Sequence, residues 1–102
     1  MTNQFVIEKF LQGGKAKTKN LYSTGTELIN YNTVIARWNG YEWQEKELQV
    51  NMYYYSKTTT TIQLKLCRLI NEQKKKGNVP LLVLDGTSER VEKASRIIKG
   101  EI

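Results

Sequence analysis

The stretch Leu48–Gln63, LQVNMYYYSKTTTTIQ, changes its hydrophobic period partway along. Leu48, Val50, Met52 and Tyr54 recur at every second position, the repeat of a strand with one buried face. Beyond Ser56, four threonines lead into a segment where Ile62, Leu66, Leu69 and Ile70 recur at helical spacing. A switch of this kind marks the point where a sheet hands over to the helix that covers it. Threonine is a poor helix former but a good terminus residue, so the run belongs to the first turn. Ser56 can cap that turn directly, or Thr60 and Gln63 can form a capping box.

Other elements arrange themselves around this junction. Residues 4–12, QFVIEKFLQ, put Phe5, Ile7 (or Val6), Phe10 and Leu11 on one helical face, with Thr2 or Asn3 as N-cap and Gly13-Gly14 as a stop. Leu21–Thr26 reads as a strand or turn broken by Gly25. Leu28–Trp38, rich in branched and aromatic residues, reads as one long strand. Asn39-Gly40 then gives the dipeptide of a type I′ hairpin, whose two central positions need positive φ. That turn would set Trp38 opposite Tyr41, Ala36 opposite Trp43 and Ile29 opposite Val50. A single register cannot bury the apolar residues near the turn and those far from it on the same face. A bulge or break is therefore expected around Glu45-Lys46-Glu47.

The third strand is expected from Leu48 to Tyr55, and the helix after it closes at Lys74-Lys75-Lys76 and Gly77. Residues 79–84, VPLLVL, read as a short buried strand beginning at Pro80 or lying on an edge. Asp85-Gly86 turns the chain, and Ser88 caps a last helix with Val91, Ala94, Ile97 and Ile98 on its apolar side. The fold class is α+β: a three-stranded antiparallel meander with an Asn39-Gly40 hairpin, covered by helices on one face, plus a short C-terminal strand and helix. At 102 residues the chain is read as a single domain spanning residues 1–102.

The chain has no histidine, one cysteine (Cys67) and one aspartate (Asp85). That removes the commonest general base, the usual serine and cysteine triads and most zinc sites, so no cofactor, no metal and no catalytic residue is expected and the protein is read as not an enzyme. An enzyme of unfamiliar type using Glu, Tyr and Lys is the weakest alternative. The LDGTSER segment places Gly86, Thr87 and Ser88 before a helix but lacks a lysine at phosphate-loop spacing, which leaves an ordinary strand–turn–helix connection. Cys67, beside Leu66 in the central helix, reads as a small buried hydrophobe. With a single thiol no internal disulfide can form, which fits a reducing cytoplasm. No apolar run reaches the length of a membrane span or signal peptide, so no membrane partner is expected.

The formal net charge of +6 leaves a surface chemistry of cations and aromatics. Lys15, Lys17 and Lys19, on alternate residues, would lie along one side of an extended backbone and suit a phosphate track. Arg37 and Lys57 would add to it, and Tyr22, Tyr41, Tyr53 and Tyr55 offer stacking platforms of the kind that hold single strands.

The segments FLQGGKAKTKNLYSTG, LINYNTVIARWNG and VNMYYYSKTTTTIQ resemble a family of small, uncharacterised proteins of phages and other mobile elements. The pattern is Lys-Ala-Lys-Thr, Leu-Tyr-Ser, Tyr-x-Thr-x-Ile-Ala, then Asn and Tyr-Ser-x-Thr-Thr-x-x-x-Gln. It falls on Lys15 to Thr18, Leu21 to Ser23, Tyr31, Thr33, Ile35, Ala36, Asn51, Tyr55, Ser56, Thr58, Thr59 and Gln63. Tyr54 departs from it, since a basic residue is usual there. The resemblance implies a phage-encoded context and a defence antagonist. Two functions are thus expected: a non-enzymatic binding protein for nucleic acid or a ribonucleoprotein, or a protein-directed, anti-CRISPR-like inhibitor of a host defence enzyme.

Overall fold

The computed structural model describes residues 2–40, 46–77 and 80–102. The chain runs α1 (Asn3–Leu11), β1 (Lys15–Lys17), β2 (Leu21–Thr24), β3 (Glu27–Asn30), β4 (Thr33–Asn39), β5 (Glu47–Asn51), α2 (Lys57–Lys75), β6 (Leu81–Asp85) and α3 (Ser88–Ile98). These strands form one six-stranded sheet in sequence order. Its first five members are an antiparallel meander, and β6 joins β5 in parallel after the α2 crossover. The α+β class holds, with more strands than the sequence pattern gave: Lys15–Lys17 and Leu21–Thr24 are both paired, and the segment 28–38 is split in two.

The split explains why the Asn39-Gly40 hairpin is not where the chain turns tightly. Asn30 pairs with Thr33, so the two-residue turn is Tyr31-Asn32. Tyr31 sits there at φ 55°, alone in that region among the described non-glycine residues. Asn39 instead pairs with Glu47, and Trp38 with Leu48, which is incompatible with the register expected from a turn at residues 39–40. The partners proposed for Trp38 and Ala36, Tyr41 and Trp43, lie outside the described residues.

The break expected around Glu45-Lys46-Glu47 falls partly outside the described residues, Glu45 among them, and the register shift that is seen lies between β3 and β4. Pairing jumps from Leu28↔Ala36 to Ile29↔Val34, leaving Ile35 as the extra residue of a bulge. Because of it Ile35 and Ala36 are both buried although they are neighbours in sequence.

All three helices cover one face of the sheet. Leu21, Leu28, Ala36, Leu48 and Val50 share a single core with Val6, Ile7 and Phe10 of α1, Ile62, Leu66, Cys67 and Ile70 of α2, and Ala94, Ile97 and Ile98 of α3. Each large side chain so buried contributes roughly 1.5–3 kcal/mol. Trp38 joins this layer at the edge of α1, its indole N–H donating to the Phe10 carbonyl at 2.9 Å. The alternate strand residues, such as Tyr22, Arg37 and Gln49, face the side without helices.

Helix caps follow the sequence to within a residue. Thr2 caps α1, Ser56 caps α2 by accepting from the Thr59 amide, and Thr87, not Ser88, caps α3. Gln63 takes no part in a capping box. The β6 segment is an edge strand, one of the two placements that Pro80 allows, and it is not fully buried, since Leu81 is half exposed.

Candidate functional site

The helix-free face of the sheet gathers most of the surface residues singled out in the sequence. Lys15 pairs with Thr24 and Lys17 with Tyr22, so both cations point to the same side as that tyrosine. Two strands further on, Arg37 neighbours Gln49 and makes an ion pair with Glu27 across the β3–β4 ladder, at 2.6 and 3.1 Å. Tyr53 and Tyr55, which follow β5, line a shallow depression of about 430 Å³ on this face together with Val34, Arg37, Asn51 and Asp85. Lys19, in the bend after β1, and Lys57, in the first turn of α2, are exposed and do not line it. Tyr41 lies outside the described residues.

The chemistry of this depression is that of a recognition surface. Tyr55 and Asn51 are fixed to one another, the Asn51 amide donating at 2.7 Å to the Tyr55 hydroxyl and at 3.2 Å to the Val34 carbonyl. The Asn51 side-chain oxygen accepts from the Tyr53 amide at 3.0 Å, a short polar turn that ends β5. Arg37 already carries a carboxylate partner. The chain's one aspartate lies at the rim with no histidine anywhere to act as base. Its one thiol is in the core, where burial pushes Cys67 up to about 12, partly opposed by the Arg68 charge. A thiol so held is not a nucleophile at neutral pH. No cluster of three or more metal-ligating side chains occurs among the described residues. No described helix is long and apolar enough to cross a membrane.

Behind the depression, a polar network that the sequence did not announce ties strand, junction and helices together. Gln63, fully buried, donates to the carbonyls of Asn51 and Tyr53 at 2.8 and 3.0 Å. Its oxygen accepts from Arg90 of α3 at 2.9 Å, and Arg90 also donates to the Met52 carbonyl and the Thr60 hydroxyl. Tyr54 stacks on the same guanidinium, 5.5 Å from ring centroid to cation. On the other side of the junction, the buried Thr59 hydroxyl donates to Asn30 at 2.6 Å, and Asn30 donates to the Asn20 carbonyl. Nothing in the spacing of the sequence singles out Arg90, which lies 27 residues beyond Gln63.

This network accounts for much of the motif read as a mobile-element signature. Thr18 bonds the Leu21 amide and Asn3, and Ser23 bonds the Gly14 carbonyl. Asn51, Ser56 and Gln63 satisfy backbone groups around the junction, and the Thr59 hydroxyl donates to the Asn30 side chain. They are polar residues a chain needs to turn corners inside a small core, and they carry no information about a phage context.

Comparison with known proteins decides the matter. The model of the family described as "EHN: Epoxide hydrolase N terminus" matches residues 6–91. Neither curated proteins nor solved structures give a match. The match overturns the resemblance to phage and mobile-element proteins, and with it both functions drawn from surface charge and that resemblance: nucleic-acid or nucleoprotein binding, and anti-CRISPR-like inhibition of a host enzyme. It relates the chain instead to hydrolases. Since the matched span takes in α1 from Val6, the whole sheet and the start of α3, the chain belongs to the epoxide hydrolase N-terminus family.

Proposed function

We propose that this chain is a non-catalytic, single-domain module that acts by docking on a hydrolase catalytic domain through the helix-free face of its sheet. The observation that carries the reading is the lack of any histidine in a chain of a hydrolase-related family. Opening an epoxide with water calls for a nucleophile, a base to activate it or to release the product, and an acid for the leaving oxygen. Tyrosines could serve as the acid and the Asp85 carboxylate as a base, but no histidine–carboxylate pair is present to process a covalent product and the thiol is sealed in the core. Catalysis therefore belongs to another polypeptide segment, and this one contributes a surface. Tyr53 and Tyr55 are about half exposed, 49% and 47%, and line a depression together with Val34. Rigid aromatics at the edge of a partly apolar hollow are the usual anchors of a protein interface.

The test pairs the chain with the catalytic domain of an epoxide hydrolase. The chain alone should turn over no styrene oxide, and calorimetry should show it binding the catalytic domain. Replacing Tyr53 and Tyr55 by alanine should weaken that binding about thirty-fold or more, the scale of an interface hot spot. Turnover by the isolated chain would overturn the non-catalytic reading. Absence of binding, or binding that ignores both tyrosines, would overturn the docking face.

A further inference from the structure

The two edges of this sheet are finished differently. Edge β1 is three residues long and carries Lys15 and Lys17, the kind of short, charged edge that resists pairing with another chain. Edge β6 has neither device: it reads Leu-Leu-Val-Leu-Asp, five residues in regular register with β5 and without a bulge. Leu81 on it is 50% exposed.

The direction of its backbone groups follows from one hydrogen bond. The Met52 amide donates to the Asp85 carbonyl at 2.6 Å while Asn51 and Asp85 are partners in the ladder. Asp85 thus turns its peptide groups toward β5, and by alternation so do Val83 and Leu81. The N–H and C=O groups of Leu82 and Leu84 point the other way, off the edge of the sheet, and have no backbone partner among the described residues. Pro80, with no N–H to offer, has the same parity as Leu82 and marks where this outward row stops.

We propose that β6 pairs with β6 of a second copy of this chain, antiparallel about a two-fold axis through Val83. This register sets Leu82 against Leu84 of the other copy and Leu84 against its Leu82, so the four outward backbone groups of each strand are satisfied by the same four of its twin. Leu81 faces Asp85 across the axis, which keeps the Asp85 carboxylates of the two copies apart. The result is one continuous twelve-stranded sheet whose helix-free faces both stay open. A heterologous strand would meet the same edge, but the self-complementary register and the isolation of the single acidic residue in it favour a second copy.

Val83 supplies the test. In this register it faces itself as a non-hydrogen-bonded pair, with Cα atoms about 4.5 Å apart, inside the range that a disulfide spans. Val83→Cys should oxidise readily to a covalent dimer on a non-reducing gel, whereas Gln49→Cys, on the same face but one strand further in, should not. Wild-type protein should show no such band, since Cys67 is buried. By light scattering the wild type should have twice the 11.9 kDa chain mass, and Leu81→Glu, which sets a carboxylate against Asp85 of the other copy, should return it to one. Leu81 is exposed enough for that change to spare the fold, which far-ultraviolet circular dichroism checks. A wild type of single-chain mass would overturn the proposal. So would a dimer that neither cross-links through Val83→Cys nor dissociates with Leu81→Glu, because its interface would lie elsewhere.

Discussion

Replacing Gln63 by leucine tests whether the polar network behind the sheet holds the β5–α2 junction in place. The two side chains are similar in size, so little cavity is created and the loss is of hydrogen bonds alone. Three would go: two from the Gln63 amide to the Asn51 and Tyr53 carbonyls, and one accepted from Arg90. A buried polar group left without its partner costs about 1–3 kcal/mol. Arg90 keeps its bonds to the Met52 carbonyl and Thr60, and each carbonyl has a second lone pair, so the low end of that range applies to all three. The expected loss is about 3 kcal/mol, read as a drop in urea midpoint with unchanged slope, or as a fall in Tm of roughly 10–25 °C. Combining it with Arg90→Met should cost less than the sum of the two single changes by about 1 kcal/mol, because both remove the same bond. A loss from Gln63→Leu below about 1 kcal/mol, the range of ordinary surface changes, would refute the argument that the junction depends on this side chain.

Two other perturbations probe the core and the one strained turn. The Cys67 thiol, pushed up from 9.0 to about 12 by burial, keeps its proton in the folded state where the unfolded chain releases it. Its stabilising contribution is complete below about pH 9 and is lost as pH rises toward the folded value, at about 1.4 kcal/mol per pH unit. Urea unfolding at pH 8 and pH 10 should show wild type losing more stability over that step than Cys67→Ala, and equal losses would refute it. Tyr31, at φ 55° and 54% exposed, holds a conformation that costs a non-glycine residue about 1–2 kcal/mol. Thermal melts should place Tyr31→Gly above wild type by an equivalent of about 0.5 kcal/mol and Tyr31→Val below it by about 1 kcal/mol.

How far the sequence discloses this fold depends on the range of the interaction that decides each element. Period and capping are local, and they locate α1, α2 and α3, the Ser56 cap and the buried stripe Ile62, Leu66 and Ile70. The β3–β4 turn is a different matter. Asn39-Gly40 has the better local signal for a hairpin, yet the chain turns at Tyr31-Asn32. There Asn30 is bonded by Thr59 at 2.6 Å from 29 residues away, and the Tyr31 amide is held by the Asn20 carbonyl. A tertiary hydrogen bond to the residue that opens the turn outweighs the local preference of the dipeptide. The bulge at Ile35 has the same origin. With the turn moved, alternation along β4 would expose either Ile35 or Ala36, and one extra residue lets the core keep both.

The face carrying the candidate site was visible in composition and hidden in meaning. Lys15, Lys17, Tyr22, Arg37, Tyr53 and Tyr55 do come to one side of the sheet, as an extended reading of their segments requires. What single residues could not disclose is which of them are already engaged. Arg37 looks like a phosphate partner until Glu27 is found beneath it, ten residues away in sequence and 2.6 Å away in space. Tyr54 looks like a lost cation in a basic motif until Arg90 is found against its ring, and then the cation is present but supplied by α3. Six excess positive charges measure what is not neutralised over the whole chain, and say nothing of where. A polyanion track needs neighbouring cations without partners, and at the centre of this face the cation is paired and the remaining groups are neutral amides, phenols and one carboxylate. Such a surface discriminates by shape and hydrogen bonding more than by charge, which is the property a module needs if its partner is a folded domain.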